Sequence, residues 1–261
     1  MPHPHPARVH NALLGGKDSH EPDRLLAETM PKRLRVAVHE SRRFAVRAVE
    51  HLVTEHQVTQ IVDLGCGLPW APDIGDVATG ANENARTLYI DNDRFVATYA
   101  RALLVTPNAS FAEADLTDTA AVLDHIAAVM DMSAPMAVCL SGTAELLAEA
   151  PAVLADLTRG LPAGSWLVLS HITGDLDNHA IARAAEDLCL AGIGYYPRSE
   201  ECIRSMLAPY TLLEPGLVGV HWWRPEIDHH HVNDTGVTLH PVPDIVSAYA
   251  AVGQLEKAQQ C

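Results

Sequence analysis

Short β-rich runs alternate with helical segments along most of this 261-residue chain. The runs are apolar without strict polar alternation, which is typical of strands covered on both faces of a parallel sheet. The strand runs are Ile61–Leu64, Thr87–Ile90, Ser110–Ala112, Met136–Leu140 and Trp166–Leu169, and the helical patterns are Arg94–Leu104, Thr117–Met130, Ala144–Leu157 and Asn178–Leu190. This alternation predicts the α/β fold class, with a doubly wound, Rossmann-like and mostly parallel sheet.

Two flanking regions determine the predicted domain organisation. Residues 1–33 are rich in Pro, His and Gly, and apolar residues from Leu34 to Val53 recur at helical spacing. We therefore expect an N-terminal helical arm or lid over residues 1–55 and one compact domain over residues 56–261. Farther along, Thr211–Glu214 and Leu217–Trp223 are separated only by Pro215-Gly216, so these two runs are antiparallel if they pair directly.

The charge balance is acidic, with 33 Asp and Glu against 18 Lys and Arg and a net charge of −15. Binding to nucleic acid depends on Lys and Arg that release counterions from phosphates, so we expect no nucleic-acid partner. The first residues lack the basic end and apolar run of a secretory signal, and no stretch of about 18 apolar residues follows. We expect a cytoplasmic protein without membrane association, for which a homodimer is compatible with the sequence.

The cysteines and histidines give no metal or disulfide pattern. The five cysteines are odd in number and include no C-x-x-C pair, so we expect free thiols. The run from Asp228 to His231 resembles a metal cluster, but adjacent histidines of a regular element cannot all point at one ion. We predict a polar surface loop there and no metal site.

The most informative segment is the glycine loop Asp63-Leu64-Gly65-Cys66-Gly67. A strand that ends in Gly-x-Gly lets the backbone turn tightly and approach a ligand at the carboxyl edge of the sheet. A dinucleotide would need a third glycine and a helix start, but Pro69 and Trp70 follow. The acidic Asp63 instead suits a cofactor that carries positive charge, as the ammonium and sulfonium groups of S-adenosylmethionine do.

Two further acids follow strand ends at the same edge. Asp91 ends the second strand, where a carboxylate can accept both ribose hydroxyls of a nucleoside. Asp115 follows the third strand and can accept the adenine amino group. Each acid could alternatively be the N-cap of the next helix, and the sequence leaves this choice open.

A set of motifs in fixed order extends from about Ala7 to Arg224. They are Leu13-Leu14-Gly15-Gly16-Lys17-Asp18, Asp63-Leu64-Gly65-Cys66-Gly67-Leu68-Pro69, Tyr89-Ile90-Asp91-Asn92-Asp93, Ser170-His171 and Glu214-Pro215-Gly216 with Trp223-Arg224-Pro225. Together they resemble the actinobacterial S-adenosyl methyltransferase family, long catalogued as a domain of unknown function. The resemblance implies a class I methyltransferase fold, with seven strands ending in an antiparallel hairpin and S-adenosylmethionine at the glycine loop. It implies no settled substrate.

The candidate site residues are a general base, a set of cofactor-binding residues and a set of substrate-binding residues. Lys17 in the Gly15–Asp18 turn could meet the charged methionine end of the cofactor, although a helix end with a surface salt bridge explains this turn equally well. His171 is the candidate general base because its ordinary pKa is near neutrality, and ordering of the Ser170-His171 turn is its alternative role. The predicted cofactor-binding residues are Asp63, Gly65, Cys66, Gly67, Asp91, Asn92, Asp115, Leu116, Ser141, Gly16 and Lys17.

The predicted substrate-binding residues are Asn11, Trp70 and Tyr195. His10-Asn11 stands where the resembled family usually has Tyr-Asp, and Cys66 and Trp70 replace residues that are commonly Thr. These departures suggest an altered substrate or an altered reaction.

The leading hypothesis is an S-adenosylmethionine-dependent methyltransferase that acts on a small molecule, in specialised metabolism. Two alternatives remain open. The cofactor's aminocarboxypropyl arm could be transferred or cyclised, which releases methylthioadenosine, or the protein could bind the cofactor as a scaffold without chemistry.

Overall fold

One mixed sheet organises the computed structural model, which describes residues 3–103, 107–225 and 246–256. Its strand order is β3-β2-β1-β4-β5-β8-β6, and β7 pairs with β8 beside this path. The strands β1 to β5 are parallel, whereas β8 is antiparallel to β5, β6 and β7. Their bounds are β1 Gln60–Leu64, β2 Arg86–Asp91, β3 Ala109–Glu113, β4 Ala137–Ser141, β5 Trp166–Ile172, β6 Tyr210–Leu212, β7 Val218–Gly219 and β8 Ala248–Leu255.

Helices cover both faces of the sheet. They are α1 Pro6–Leu13, α2 Glu21–Thr29, α3 Lys32–His56, α4 Ile74–Ala81, α5 Arg94–Leu103, α6 Thr119–Val129, α7 Ala150–Gly160, α8 Asn178–Leu190 and α9 Glu200–Met206, with short 3₁₀ turns at Ala144–Leu146 and Val220–Trp222. Side-chain oxygens of Asp73, Asp118, Asp177 and Ser199 accept backbone N–H groups at the starts of α4, α6, α8 and α9. These caps satisfy donors that a helix start leaves unpaired.

The predicted fold class is confirmed, and every predicted strand run of the parallel half overlaps an observed strand. The sequence prediction missed α4, in which Gly75 and Gly80 obscure the helical pattern. The predicted helix Ala144–Leu157 is divided into a 3₁₀ turn and α7. Pro151 lies in the first turn of α7, where a proline is tolerated, so the α-helix begins there.

The expected direct pairing of the two C-terminal runs does not occur. β6 and β7 both pair with β8, through register partners such as Thr211 with Gln254 and Val218 with Ala250. β8 therefore lies between β5 and β6, and the described sheet has eight strands rather than the implied seven because the two-residue β7 is added. The small residues of β8, with the sequence AYAAVGQL, fit this crowded interior position.

The long helix α3 lies at the centre of one hydrophobic core, together with α4, α8 and the sheet. Leu34, Phe44 and Leu52 of α3 are fully buried, and the Phe44 ring meets Trp223 edge to face at 5.3 Å. The arm helices α1 and α2 extend this core through Val9 and Ala27. A second core lies on the opposite face of the sheet, against α6, α7 and α9.

Among the described residues, no helix combines the length and the apolar character that a membrane span needs. Cys66, Cys139, Cys189 and Cys202 are free thiols in the structure. The described residues contain no group of three or more His, Cys, Asp or Glu arranged to hold a metal ion. Cys261 and the predicted loop from Asp228 to His231 lie outside the described residues.

Candidate functional site

A cavity of about 320 Å³ lies at the carboxyl ends of the central strands. Ligands of open α/β sheets bind at this edge, where the loops after neighbouring strands converge. The cavity is lined by the glycine loop, the end of β2, the segments after β3 and β4, and one face of α1. The following predicted cofactor-binding residues line it: Asp63, Gly65, Cys66, Gly67, Asp91, Asn92, Asp115, Leu116 and Ser141.

The glycine loop needs its glycines for conformation and for space. Gly65 and Gly67 have φ values of 69° and 64°, in the left-handed region that side chains disfavour. A Cβ on Gly65 would also lie 2.8 Å from the hydroxyl oxygen of Thr143. The backbone N–H groups of Gly65 and Cys66 donate to the Ile90 carbonyl, at 2.7 and 3.2 Å. The loop is therefore held against β2 and presents bare backbone to the cavity.

The Asp91 carboxylate is buried at the cavity wall, and backbone donors orient it. Oδ2 accepts the Gly67 N–H at 2.9 Å, and Oδ1 accepts the Asp93 N–H at 2.9 Å. Burial raises the pKa of Asp91, while these two hydrogen bonds act in the opposite direction. Each carboxylate oxygen retains a lone pair for a ligand hydroxyl. The N-cap alternative does not hold, because Asp93 rather than Asp91 accepts the Phe95 N–H at the start of α5.

Asp115 is held in the same way on the segment after β3. Its Oδ1 accepts the backbone N–H of Thr117 at 2.9 Å and the Thr117 hydroxyl at 2.7 Å, and the Asn92 amide donates to Oδ2 at 3.3 Å. The hydrogen bonds from Thr117 lower the pKa of Asp115, so the carboxylate stays ionised near neutrality. The N-cap of α6 is Asp118, so the N-cap alternative fails for Asp115 as well.

Asp63 and Arg42 form the charged end of the cavity. Asp63 is 4% exposed, and its Oδ2 has no hydrogen-bond partner among the described residues. The Arg42 guanidinium lies 4.0 Å from that oxygen and also binds Asp73 Oδ2 at 3.1 Å. Burial, with repulsion from Asp73 and Asp91, raises the pKa of Asp63 to about 7 against the attraction of Arg42. A buried carboxylate oxygen without a donor fits a ligand ammonium group.

Sequence reasoning missed Arg42, and no local pattern could have identified it. It lies within α3, a helix with several arginines, and only packing of α3 on the sheet brings it to the cavity. Together with Asp63 it provides one cation and one anion at the same end of the cavity. This pair matches the carboxylate and ammonium groups of an amino acid.

The helix α1 lies over the cavity, and side chains at its start contact Asp93 at the cavity rim. His5 Nδ1 is 2.9 Å from Asp93 Oδ2, and Arg8 is 3.6 Å from the same oxygen. Arg8 also pairs with Asp23 of α2 at 2.9 Å, and its guanidinium lies 5.6 Å from the centroid of the Phe95 ring. The helix α1 therefore contacts the rim through several charged side chains while one of its faces borders the cavity.

His10 of α1 lines the cavity and was also missed, although its neighbour Asn11 was predicted as a site residue. Its Nε2 lies 3.0 Å from the position that a Cβ on Gly142 would occupy. Burial, followed by the positive charge of Arg42 and the influence of His39, lowers the pKa of His10 to about 4. The imidazole is therefore neutral at pH 7 and can accept a proton.

His171, the predicted general base, is not among the residues that line this cavity. His171 is fully buried, and its Nε2 is 3.1 Å from an Arg198 nitrogen. A guanidinium can only donate, so Nε2 accepts and Nδ1–H donates to the Ile172 carbonyl at 2.7 Å. Burial lowers the pKa of His171 to about 4. Arg198 in turn donates to the carbonyls of Ala144, Tyr196, Leu147 and Ala148, so these contacts hold the segment around His171 together.

Asn11 lies in α1, Gly16 and Lys17 lie in the turn after it, and none of the three lines the cavity. The Asn11 side chain is buried, and its Oδ1 accepts the Asp18 N–H at 3.1 Å. A Cβ on Gly16 would overlap the Asn11 side chain, so this turn requires glycine for packing. Lys17 is exposed. The geometry therefore gives these residues a role in ending the helix, the alternative left open by the sequence.

Trp70 and Tyr195 are likewise outside the cavity lining. The Trp70 ring packs beside the core and meets His39 edge-on at 6.2 Å. Tyr195 borders a narrow pocket of about 30 Å³ behind His10 and Gly142. Burial raises the pKa of Tyr195, and the Glu145 carboxylate adds to this effect.

The sheet order, the glycine loop and the acids at the strand ends define a class I methyltransferase fold that uses S-adenosylmethionine. The chain belongs to the S-adenosyl methyltransferase family, whose model matches residues 1–256. It is an S-adenosylmethionine-dependent methyltransferase by family and fold, as the sequence resemblance implied. No functionally curated protein matches the sequence.

Solved structures agree with this family. A proposed methyltransferase from Thermobifida fusca YX is 32% identical, with 98% of this chain and 96% of that chain covered and a TM-score of 0.86. A DUF574 family protein from Streptomyces avermitilis MA-4680 is 27% identical, with coverage of 97% and 98% and a TM-score of 0.87. The N-methyltransferase NodS from Bradyrhizobium japonicum WM9, solved with S-adenosyl-L-homocysteine, is 11% identical over 96% of this chain and all of its own, with a TM-score of 0.52, and shares the fold alone.

Proposed function

We propose that the protein methylates a small molecule of specialised metabolism, bound beneath α1 next to the cofactor. The observation that carries this proposal is the cavity of about 320 Å³, with α1 over it and the neutral His10 at its wall. A cavity covered by a helix of the same chain suits a small acceptor better than a macromolecular one.

The cofactor contacts follow from the polar groups of the cavity. Asp91 would accept the ribose hydroxyls, and Asp115 the adenine amino group, with Leu116 beside it. Arg42 would bind the methionine carboxylate, while Asp63 would accept from the ammonium group and gain the partner that its buried Oδ2 lacks. When bound, S-adenosylmethionine supplies a methyl group already activated by a sulfonium leaving group.

The chain's own contribution to the reaction is alignment, exclusion of water and removal of a proton. His10 Nε2 would accept the proton of an acceptor hydroxyl or amine, which becomes more acidic as it attacks. Its pKa of about 4 keeps the imidazole in the accepting form at neutral pH. The same low pKa favours release of the proton to water after the reaction, because burial and the nearby Arg42 both disfavour the imidazolium.

The helix α1 would act as the lid over this reaction. His5 and Arg8 hold it to Asp93 at the rim, so cofactor and product exchange would require these contacts to open. When the contacts are closed, Pro6, Ala7 and His10 would separate the reacting groups from solvent.

The test is product analysis after incubation with S-adenosylmethionine and a panel of small phenols, alcohols, amines and thiols. We expect S-adenosylhomocysteine together with a methylated acceptor, detected by mass spectrometry. Methylthioadenosine instead would indicate aminocarboxypropyl transfer or cyclisation. Cofactor binding without any nucleoside product, even with extract of the host cell as acceptor source, would indicate a binding or scaffold protein.

A further inference from the structure

A second cavity, of about 390 Å³, lies on the other side of the glycine loop. It is enclosed by β2, β3, α4 and α5, and shares only Cys66 and Gly67 with the cofactor cavity. The proposed reaction uses none of its other residues. Its size is comparable to that of the cofactor cavity, which is large enough for a small ligand.

The floor of this second cavity carries the buried hydroxyl of Thr87. Thr87 and Tyr89 are two residues apart on β2, so both side chains point to the same face of the sheet and both line the cavity. Thr87 is 1% exposed, and its Oγ1 has no hydrogen-bond partner in the described parts of the chain. Buried polar groups are normally paired, so this oxygen is suited to a polar atom of a ligand.

The glycine Gly75 lets α4 pack closely on this floor. Gly75 is in the first turn of α4, and a Cβ there would overlap the Tyr89 hydroxyl and lie 3.2 Å from Thr87 Oγ1. The Gly75 N–H donates to the Tyr89 hydroxyl oxygen at 3.1 Å, so backbone and phenol form one rigid wall. A larger residue at this position would clash with the Tyr89 hydroxyl and push α4 away from β2.

The charged groups around the second cavity are all acidic. Asp73, Asp76 and Glu83 line it, and its described lining contains no Lys, Arg or His. The negative charge of Asp73 is balanced by Arg42, whose guanidinium lies 3.1 Å from Asp73 Oδ2. Asp76 and Glu83 are exposed at the mouth, and neither has an ion pair within the described residues. The mouth therefore favours a cation.

The remaining wall is apolar. Val96 and Ala100 of α5 face the cavity together with Phe111 of β3. Val96 and Ala100 are four residues apart, so they lie one turn above the other on the same face of α5. A ligand here would meet hydrocarbon and an aromatic ring on one side, a buried hydroxyl below, and carboxylates at the entrance.

We propose that this second cavity is a binding site for a small organic ammonium ion with an apolar body. The ammonium group lies at the mouth with Asp76 and Glu83, and the body packs on Val96, Ala100 and Phe111. A polar substituent of the ligand reaches Thr87. This site is distinct from the cofactor cavity and does not require methyl transfer.

The test uses 2-phenylethylamine as the probe, titrated into the full chain without cofactor and followed by ligand-observed NMR. The matched probes are the neutral 2-phenylethanol and the anionic 3-phenylpropanoate. We expect the amine to bind at least about tenfold more tightly than the alcohol, and the carboxylate not to bind. Equal affinity of the amine and the alcohol would overturn the proposal.

Variants locate the site. The double variant Asp76→Asn with Glu83→Gln removes only exposed charge and should weaken amine binding by about tenfold or more, whereas the matched Asp124→Asn on α6 should not. Ala100→Leu should block the apolar wall, while affinity for S-adenosylhomocysteine stays within about twofold in all of these variants. Unchanged amine affinity in the double variant, or a loss that instead follows Asp63→Asn in the cofactor cavity, would contradict the assignment.

Discussion

Two histidines near the carboxyl edge of the sheet, the half-buried His10 and the fully buried His171, have similarly lowered pKa values and different surroundings. Burial lowers the pKa of both His10 and His171 to about 4, and in each case an arginine adds to the effect. His10 borders the cofactor cavity, whereas both ring nitrogens of His171 are engaged by Arg198 and the Ile172 carbonyl. A shifted pKa therefore does not distinguish a reacting group from a structural one, and the contacts of the ring nitrogens do.

The largest expected effect is on catalytic turnover, and it should differ between substitutions of His10 and of His171. His10→Gln should lower turnover of an identified acceptor by about 100-fold or more, the scale of a lost general base. Affinity for S-adenosylhomocysteine should change by less than about twofold, as measured by isothermal titration. His171→Gln, assayed as folded protein, should retain most of its turnover. Equal losses in the two variants would remove the distinction between them.

The next effect is on stability and concerns the arginine beside His171. Arg198→Ala should lower the free energy of unfolding by about 3 kcal/mol, because four backbone carbonyls and the buried His171 nitrogen lose a charged donor. Urea denaturation measures this change. Arg183→Ala, on the exposed face of α8, is the matched control and should stay within about 0.5 kcal/mol. A small effect of Arg198→Ala would mean that the cluster does not hold this segment.

The cofactor cavity can be tested without any acceptor. Asp91→Ala should weaken binding of S-adenosylmethionine by about 1 to 3 kcal/mol, or roughly 5- to 150-fold, if the ribose hydroxyls bind to this carboxylate. Titration calorimetry with Asp124→Ala as the control measures it. An unchanged affinity would exclude Asp91 from the site.

The smallest expected effect is the contribution of His171 to the pH dependence of folding stability. Its pKa is about 4 in the folded protein and 6.5 as the ordinary value, so between these limits the folded state binds fewer protons than the unfolded state. The contribution of His171 to the free energy of unfolding is therefore fully present above pH 6.5. It decreases as the pH falls towards 4, by about 1 to 2 kcal/mol at pH 5.

Thermal melts of the native chain and His171→Gln at pH 7 and pH 5 isolate this contribution. The decrease in Tm between pH 7 and pH 5 should be smaller in the variant. Asp63 and Glu145, with pKa values raised to about 7, act in the opposite direction, but they are present in both proteins and cancel in the difference. Parallel pH profiles would show that His171 is not held in the neutral form.

The features that could be predicted from the sequence are those that a local residue pattern determines. Buried parallel strands are short apolar runs, so β1 to β5 were found. The glycine loop with Asp63, Asp91 and Asp115 was predicted as a site because each residue lies at or just after a strand end. These residues converge in the structure, in agreement with the rule that such ends share one edge of the sheet.

The features that could not be predicted from the sequence depend on how elements that are distant in the chain pack together. Arg42 reaches the cavity only because α3 lies across the sheet. Strand pleating places His171 away from the cavity, because Ser170 bonds to Ser141 at the cavity at 2.9 Å, and the next side chain along β5 points to the other face. The position of β8 between β5 and β6 depends on a distant pairing that no local run encodes.

That inserted strand also constrains the order of assembly. β8 is synthesised after β6, yet it lies between β5 and β6 and pairs with both. Until β8 emerges from the ribosome, β5 presents an unpaired edge and β6 has no neighbour in the sheet. A nascent chain in this condition exposes strand edges that favour wrong pairing with other chains. We therefore expect the sheet to be completed only after synthesis of β8, with the parallel half folding first.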